Sequence, residues 1–413
     1  MEKSTRKLGD PQPVLATSSD DALTAHLRAR VSDWLQALIT AELEAAIGAA
    51  RYAHGVTERR GYRHAGRDRT VTTSLGPTTV TVPRGRLFTA SEGPMVEWQS
   101  TVLPRYARRT RAVDESILGV YLAGANTRRV RGALQPLLGA GPLSRSAVSR
   151  VMQKLRAQCE AWRTRALAET RVVYLLLDAI HVRVRVDRRV QVVPVLVALG
   201  VDEEGHKELL ALHLTTTEST AAWTGLIEDL ASRGLPAPVL CIIDGNAGLR
   251  RAIATTWPRA HVQRCIVHKL RNLEAHAPKR ALDALRADFH AITEASSLRA
   301  AKEAYRRFVR RWQPRSDAVV RSLEEAGAEL LTFYAFPASQ WRSLRSTNII
   351  ERVNQEFRRR VKTQAAQPSD TSVVRLLFAL YVGGHIRVRR LNGWQEIPKV
   401  LARFAPERLT AAA

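Results

Sequence analysis

Three acidic residues stand where ordinary protein chemistry gives an acid little reason to be. Asp178 falls inside the apolar run 172–186, which reads as a strand. Period-two alternation gives it the same face as Tyr174, Leu176, Ile180, Val182 and Val184. A carboxylate on an apolar face is costly unless something compensates it, and a bound cation would. The alternative is a solvent-facing acid at a bulge or strand end. Asp244 closes the apolar stretch 239–243 and precedes Gly245-Asn246 and a helical pattern. Strand ends that open into helices are where α/β folds put functional side chains, although Asp is also a favoured helix N-cap. Glu351 lies on the helical run 348–362, whose stripe for burial is Ile350, Val353, Phe357 and Val361. It falls on the other side, with Gln355, Arg358, Arg359 and Lys362. Its neighbours three and four positions away, Thr347, Asn348, Asn354 and Gln355, are polar and uncharged, whereas Glu356 has Arg352, Arg359 and Arg360 in ion-pair range. Glu356 therefore reads as structural, and Glu351 as an acid kept free for another purpose.

Three carboxylates from separate elements suit two hard divalent cations, Mg2+ or in its place Mn2+, roughly 3.5–4 Å apart. One ion would lower the pKa of an attacking water or 3′-hydroxyl, and the other would stabilise the leaving oxygen. Such chemistry needs no nucleophilic Ser or Cys, and the sequence offers no phosphate-cradling Gly-rich loop. Cys265 and His268, spaced C-x2-H, invite a zinc reading that Cys241 and His261 could complete. A single such pair is a weak signal, since structural zinc takes four ligands, and a packing or substrate-facing role is preferred.

The elements that must position these acids are legible from periodicity. Residues 172–186, 190–200 and 207–214 read as three consecutive strands. A helix (217–231), a strand (239–243), a helix (247–256) and a short strand (261–264) follow. Three antiparallel strands leading into alternating helix and strand resemble a ribonuclease-H-like α/β layer fold. The first part of that core spans 170–267, an all-helical insertion 268–340, and a second part, carrying the Glu351 helix, 341–395. Residues 1–18 and 396–413 read as tails.

Between the first tail and the core, residues 19–160 read as a mainly helical region. Leu23, Leu27, Val31, Leu35 and Leu38 recur at helical spacing from an N-cap at Ser19-Asp20-Asp21. A basic loop (Arg59, Arg60, Arg63, Arg67, Arg69) and a hairpin turning at Gly76-Pro77 come next. Three short helical patterns (113–122, 126–137 and 144–155) then suit a helix-turn-helix over about 112–156. Its third helix would present Arg145, Ser149 and Arg150 to a DNA groove.

Charge points the same way. Lys and Arg total 64 against 39 acids, a net +25, which favours a polyanionic partner. The basic residues are mostly Arg, which grips phosphate through a bidentate fork. A ribosomal or purely architectural protein is the bland alternative. An apolar content of 45% is enough for real cores. No stretch approaches a membrane span or a signal peptide, and the cysteines Cys159, Cys241 and Cys265 form no disulfide framework. The expectation is a soluble, cytoplasmic, nucleoid-associated protein with no membrane or small-molecule partner.

Taken together, the motifs resemble the Mutator-type transposases of bacterial insertion sequences. The resemblance runs through Leu177-Asp178-Ala179-Ile180 and through Asp244-Gly245 with Gly248-Leu249. It continues through Gln263-Arg264-Cys265-x-x-His268-Lys269-x-Arg271-Asn272 and closes with Ser346-Thr347-Asn348-x-x-Glu351-Arg352-x-Asn354 and the arginines Arg358, Arg359 and Arg360. It implies a ribonuclease-H-like domain whose acidic triad falls on Asp178, Asp244 and Glu351, and whose Cys/His pair falls on Cys265 and His268. It further implies cleavage at terminal inverted repeats and strand transfer to a target. The partner would be double-stranded DNA, held by a homo-oligomer, with Arg358, Arg359 and Lys362 contacting it near the cleavage site. His181 departs from the family, which often has an aromatic residue there. A structure-selective nuclease of the same fold and a non-enzymatic DNA-binding regulator are the competing expectations.

Overall fold

The computed structural model describes residues 22–54, 57–89, 94–123, 125, 129–138, 144–186, 189–362 and 370–406. The expected tail 1–18, the cap at Ser19-Asp20-Asp21, the end of the expected C-terminal tail, and the stretches around Gly124, Asn126 and Gly141-Pro142 lie outside them. By contacts within the chain the fold divides into two units, Met1–Met152 and Gln153–Ala413.

In the first unit, helix α1 (Ala22–Ile47) lies along an antiparallel hairpin of β1 (Gly61–Thr73) and β2 (Gly76–Leu87), to which the short β3 (Val96–Glu97) adds. The buried stripe of α1 is not the expected one. Leu23, Leu27 and Leu38 are exposed, and α1 buries Ile39, Leu43 and Ile47. The reason is that the N-terminal half of α1 meets the hairpin through polar side chains. Arg28 Nε donates to the Leu75 carbonyl and Ser32 Oγ to the Thr79 carbonyl, both at 2.9 Å. Gln36 bonds the Thr81 backbone in both directions at 2.7 and 2.8 Å. The hairpin also turns two residues earlier than expected. Thr73 pairs with Gly76, which leaves Ser74-Leu75 as the turn, and Gly76 follows it at φ +105°. The expected basic loop is largely strand, with Arg63 held by Glu44 of α1 at 3.1 Å and Arg69 by the carbonyls of Leu103, Pro104 and Ala107. Beyond the hairpin, α2 (Arg111–Leu122), α3 (Val130–Leu138) and the start of α4 (Arg145–Thr164) share a core of Val113, Ile117, Val130, Leu134, Leu138, Val148 and Val151.

In the second unit, the apolar runs form β4 (Val172–Val186), β5 (Arg189–Asp202) and β6 (Lys207–Leu214), each antiparallel to the next. The chain continues through α5 (Thr220–Ser232), β7 (Leu240–Ile243), α6 (Ala247–Thr256) and β8 (His261–Arg264). The sheet order is β6-β5-β4-β7-β8, with β4, β7 and β8 parallel. Alternation splits β4 between two cores. Leu175 and Leu177 pack under Trp223, Leu226 and Ile227 of α5 and Leu249 and Ile253 of α6. Tyr174, Leu176, Asp178 and Ile180 take the opposite face. After β8 come α7 (Ile266–His276), α8 (Leu282–Thr293), α9 (Leu298–Trp312) and α10 (Asp317–Ala326). The chain then returns through α11 (Trp341–Leu344) to α12 (Asn348–Lys362), which packs on β4. It closes with α13 (Asp370–Val382) and α14 (Ile397–Phe404). Part of the expected C-terminal tail is therefore helix, held by the buried Ile397, Val400 and Leu401. Among the described residues, no helix is long and apolar enough to cross a membrane.

Candidate active site

Parallel pairing of β4 with β7 is what brings the first two acids together. Leu176 pairs with Ile242, so the register carried two residues further sets Asp178 level with Asp244. Asp178 is buried, and its Oδ2 accepts a 2.6 Å hydrogen bond from Asn354 Nδ2 on α12. Burial pushes the Asp178 carboxyl up to about 6, and the charge of Asp244 pushes the same way, against the Ala179 amide, His268 and Asn354. Asp244 is not the cap of α6. Asn246 is, accepting from Gly248 N at 2.9 Å and Leu249 N at 3.1 Å, while Asp244 Oδ1 receives the Asn246 amide at 2.9 Å. The loop needs Gly245, whose φ is +112° and whose absent Cβ would sit 2.3 Å from the Arg264 guanidinium.

Glu351 is not the partnerless acid that helical spacing suggested. Its Oε1 lies 3.2 Å from Thr347 Oγ1 and 3.6 Å from His268 Nε2. Thr347 is fully buried; its amide donates to Cys265 Sγ at 3.3 Å, and its hydroxyl, 3.2 Å from both Cys265 Sγ and Glu351 Oε1, has one proton to give to one or the other. His268 Nδ1 lies 3.4 Å from the same hydroxyl. Burial raises the Cys265 thiol, but hydrogen bonds from His268 and Thr347 outweigh it, and the net shift is downward. His268 is pushed up to about 8, first by its bond to Cys265 and, against burial, by the charges of Cys265, Glu351 and Asp244. The protonated imidazole is favoured chiefly by Cys265 and then by the nearby acids, a partnership that sequence spacing did not reveal. Cys241 and His261, the residues that could have completed a zinc set, go elsewhere. Cys241 is buried in the α5–α6 core, and His261 packs against the Phe404 ring.

The remaining motif residues divide by exposure. Arg264 and Lys269 are buried and converge on Glu325 of α10. Arg264 Nη2 reaches both carboxylate oxygens at 3.0 Å, and Lys269 Nζ reaches one at 2.6 Å. Gln263 accepts from Phe333 N at 2.8 Å and donates to the Leu330 carbonyl at 3.0 Å. Arg271, Asn272, Asn348, Arg352, Arg358, Arg359 and Lys362 are exposed. Glu356 pairs with Arg359 at 3.0 Å. On α4, Ser149 and Arg150 are exposed, and the Arg145 side chain lies outside the described residues. His181 pairs with Glu218 at 3.1 Å.

The raised Asp178 carboxyl makes a prediction for the metal-free protein. With about 6 in the fold against 3.8 unfolded, the folded state binds more protons between those values, so stability falls as pH rises through them. Asp178→Asn keeps an acceptor for Asn354 and removes that loss. It is expected to melt higher than the wild type at about pH 8, the gap closing as pH falls below about 4. A lower melting temperature at high pH would show that the carboxylate is not strained by its surroundings.

The fold and the cluster define a mixed α/β protein with buried and half-buried acids gathered beside one face of its sheet. Residues 3–387 match the family described as Transposase, Mutator family, and the chain belongs to that family. The chain is 34% identical to the transposase for insertion sequence element IS1081 of Mycobacterium tuberculosis, across 95% of this chain and 93% of that one. It is 30% identical to the transposase for insertion sequence element IS256 in transposon Tn4001 of Staphylococcus aureus, across 92% and 95%. Among solved structures, the Drosophila P element transposase strand transfer complex aligns with 71% of this chain and 84% of its own at a TM-score of 0.29 and 10% identity, too slight a likeness to carry any assignment.

Proposed function

We propose that this chain is the transposase of an insertion sequence, cutting DNA at terminal inverted repeats and joining the ends to a target. The observation that carries the reading is the convergence of Asp178, Asp244 and the α12 residues Asn354 and Glu351 on one cluster, within a chain that matches transposases along nearly its whole length. The three-antiparallel, two-parallel sheet order supports a ribonuclease-H-like catalytic core. The α2–α4 cluster supports a helix-turn-helix.

Asp178 and Asp244 offer only oxygen donors, and their mutual repulsion is the kind a divalent cation relieves, so the site fits Mg2+ or Mn2+. In this reading Asp178, Asp244 and Glu351 hold the ions. When bound, the ions supply an activated oxygen nucleophile and stabilise the leaving oxygen. The chain's own side chains prepare that arrangement. Asn354 fixes one oxygen of Asp178, the Thr347 hydroxyl lies within reach of Glu351 and Cys265, and His268 sits between the acids and eases their repulsion when no cation is bound. Two ends must be held together, so the active form is read as a homo-oligomer on DNA.

A repeat-end duplex incubated with Mg2+ and a plasmid target tests the reading: joined products are expected. Cleavage without joining would make the protein a nuclease, and neither would make it a regulator. Within the helix-turn-helix, Arg150→Ala should reduce the preference for repeat over random DNA by about 1–3 kcal/mol if the contact is to a base edge. Equal loss on both DNAs would assign Arg150 to phosphate. Further arginine groups fall at 306–311, 358–360 and 387–390, in the second unit. Replacing Arg358 and Arg359 by Ala should flatten the slope of log affinity against log salt by about 0.9 to 1.8, the value of one or two phosphates. An unchanged slope would show that α12 does not grip DNA.

A further inference from the structure

We propose that Cys265, His268 and Glu351 form a second metal site, selective for Zn2+ and related soft ions, that shares Glu351 with the catalytic acids and inhibits the enzyme when filled. The ligand atoms of these three residues lie within 4.8 Å of one another. Tetrahedral zinc holds sulfur at about 2.3 Å and nitrogen or oxygen at about 2.0–2.2 Å, so the three need only draw together slightly, with water as the fourth ligand. The donors separate the two kinds of metal. Thiolate and imidazole select zinc and reject magnesium, whereas Asp178 and Asp244 present oxygen alone.

The surroundings also suit a metal-bound thiolate. Thr347 points its amide and hydroxyl at Cys265 Sγ, at 3.3 and 3.2 Å, and its hydroxyl lies 3.4 Å from His268 Nδ1. Such hydrogen bonds orient ligands and tune their basicity. Entry is open from one side, because Cys265 is buried while the side chains of His268 and Glu351 keep 27% and 20% of their exposure. On binding, the protons held by Cys265 and by the His268 imidazole leave to solvent, and the sulfur and a ring nitrogen bond the metal. Inhibition follows from Glu351 being held in two claims at once, and this half of the proposal rests on the reading of Glu351 as a catalytic metal ligand.

Cobalt titration of the full chain tests binding without any turnover. The wild type should develop the thiolate-to-cobalt absorption band and the visible bands of a tetrahedral ion, and Zn2+ should bleach both. Cys265→Ser, which keeps Cys159 and Cys241, should lose the band. His268→Gln and Glu351→Gln should weaken binding by at least about tenfold, no less than the loss of an outer-shell partner. Should Cys265→Ser fail to fold by circular dichroism, the half-exposed His268→Gln carries the test. A wild type without the band overturns the site, as does a band unchanged in a folded Cys265→Ser, or in His268→Gln where that variant carries the test. In cleavage assays, Zn2+ should raise the Mg2+ concentration needed for half-maximal rate. Bound zinc with no such competition overturns the sharing of Glu351. If the wild type cleaves nothing with Mg2+ at all, the functional reading falls, while the cobalt band still decides the site.

Discussion

Asp178→Asn, Asp244→Asn and Glu351→Gln should each lower the rate of strand cleavage by about 10³ or more, as expected when several kcal/mol of charge stabilisation is lost. Binding to a repeat-end duplex should stay nearly intact, because the exposed arginines that would meet phosphate are left unchanged. Asn354→Ala belongs in the same series. It leaves every carboxylate in place and removes only the 2.6 Å bond that holds Asp178, so a loss of about 10–100-fold is expected, as for other partners that orient a metal ligand. Glu356→Gln is the control on α12. Its pair with Arg359 is an exposed i,i+3 contact worth no more than about 0.5 kcal/mol, and its rate should match the wild type. Cleavage rates on one labelled duplex at saturating Mg2+ decide the matter. An active Glu351→Gln beside a dead Glu356→Gln would overturn the assignment on that helix.

What could be read from the sequence is what local periodicity encodes. The strand 172–186 and the helix 247–256 lie where alternation and helical spacing put them, because local periodicity alone fixes their burial. Asp178 stood out for the same reason: it interrupts a face that is otherwise apolar. Partnerships through space left no such trace. Asn354 looked like an indifferent polar neighbour of Glu351, yet it is fully buried and bonded to a residue on β4. His268 lies far from Glu351 in the chain, and only the return of α12 to the sheet brings them together. The same limit produced the wrong stripe on α1, where polar bonds to the hairpin replaced the apolar contacts that spacing favoured. It also gave Asp244 a capping alternative that Asn246 in fact fills.

The largest stability effect should come from a residue outside the acid cluster, Glu325. Arg264 and Lys269 flank Cys265 and His268 in sequence, and their side chains are only 4% and 3% exposed. Both charges are answered by the Glu325 carboxylate, with the Ser322 carbonyl taking one further Lys269 bond at 2.7 Å. Glu325→Gln keeps the shape and removes the charge, leaving two buried cations facing each other. Breaking a buried pair in this way costs about 3–5 kcal/mol, and the lower end applies because Glu325 itself is half-exposed. A melting temperature lower by roughly 6–12 °C is expected for a unit of this size. Glu325→Asp, which retains the charge, should recover part of the loss. The consequence reaches the site through Arg264, whose guanidinium lies against Gly245 beside Asp244. Cleavage by Glu325→Gln should therefore fall even well below its melting temperature, with the Mg2+ requirement rising as Asp244 loses its backing. If Glu325→Gln melts with the wild type, the two buried cations are answered by other groups, and the basic residues of this motif serve something other than fixing Asp244 and His268.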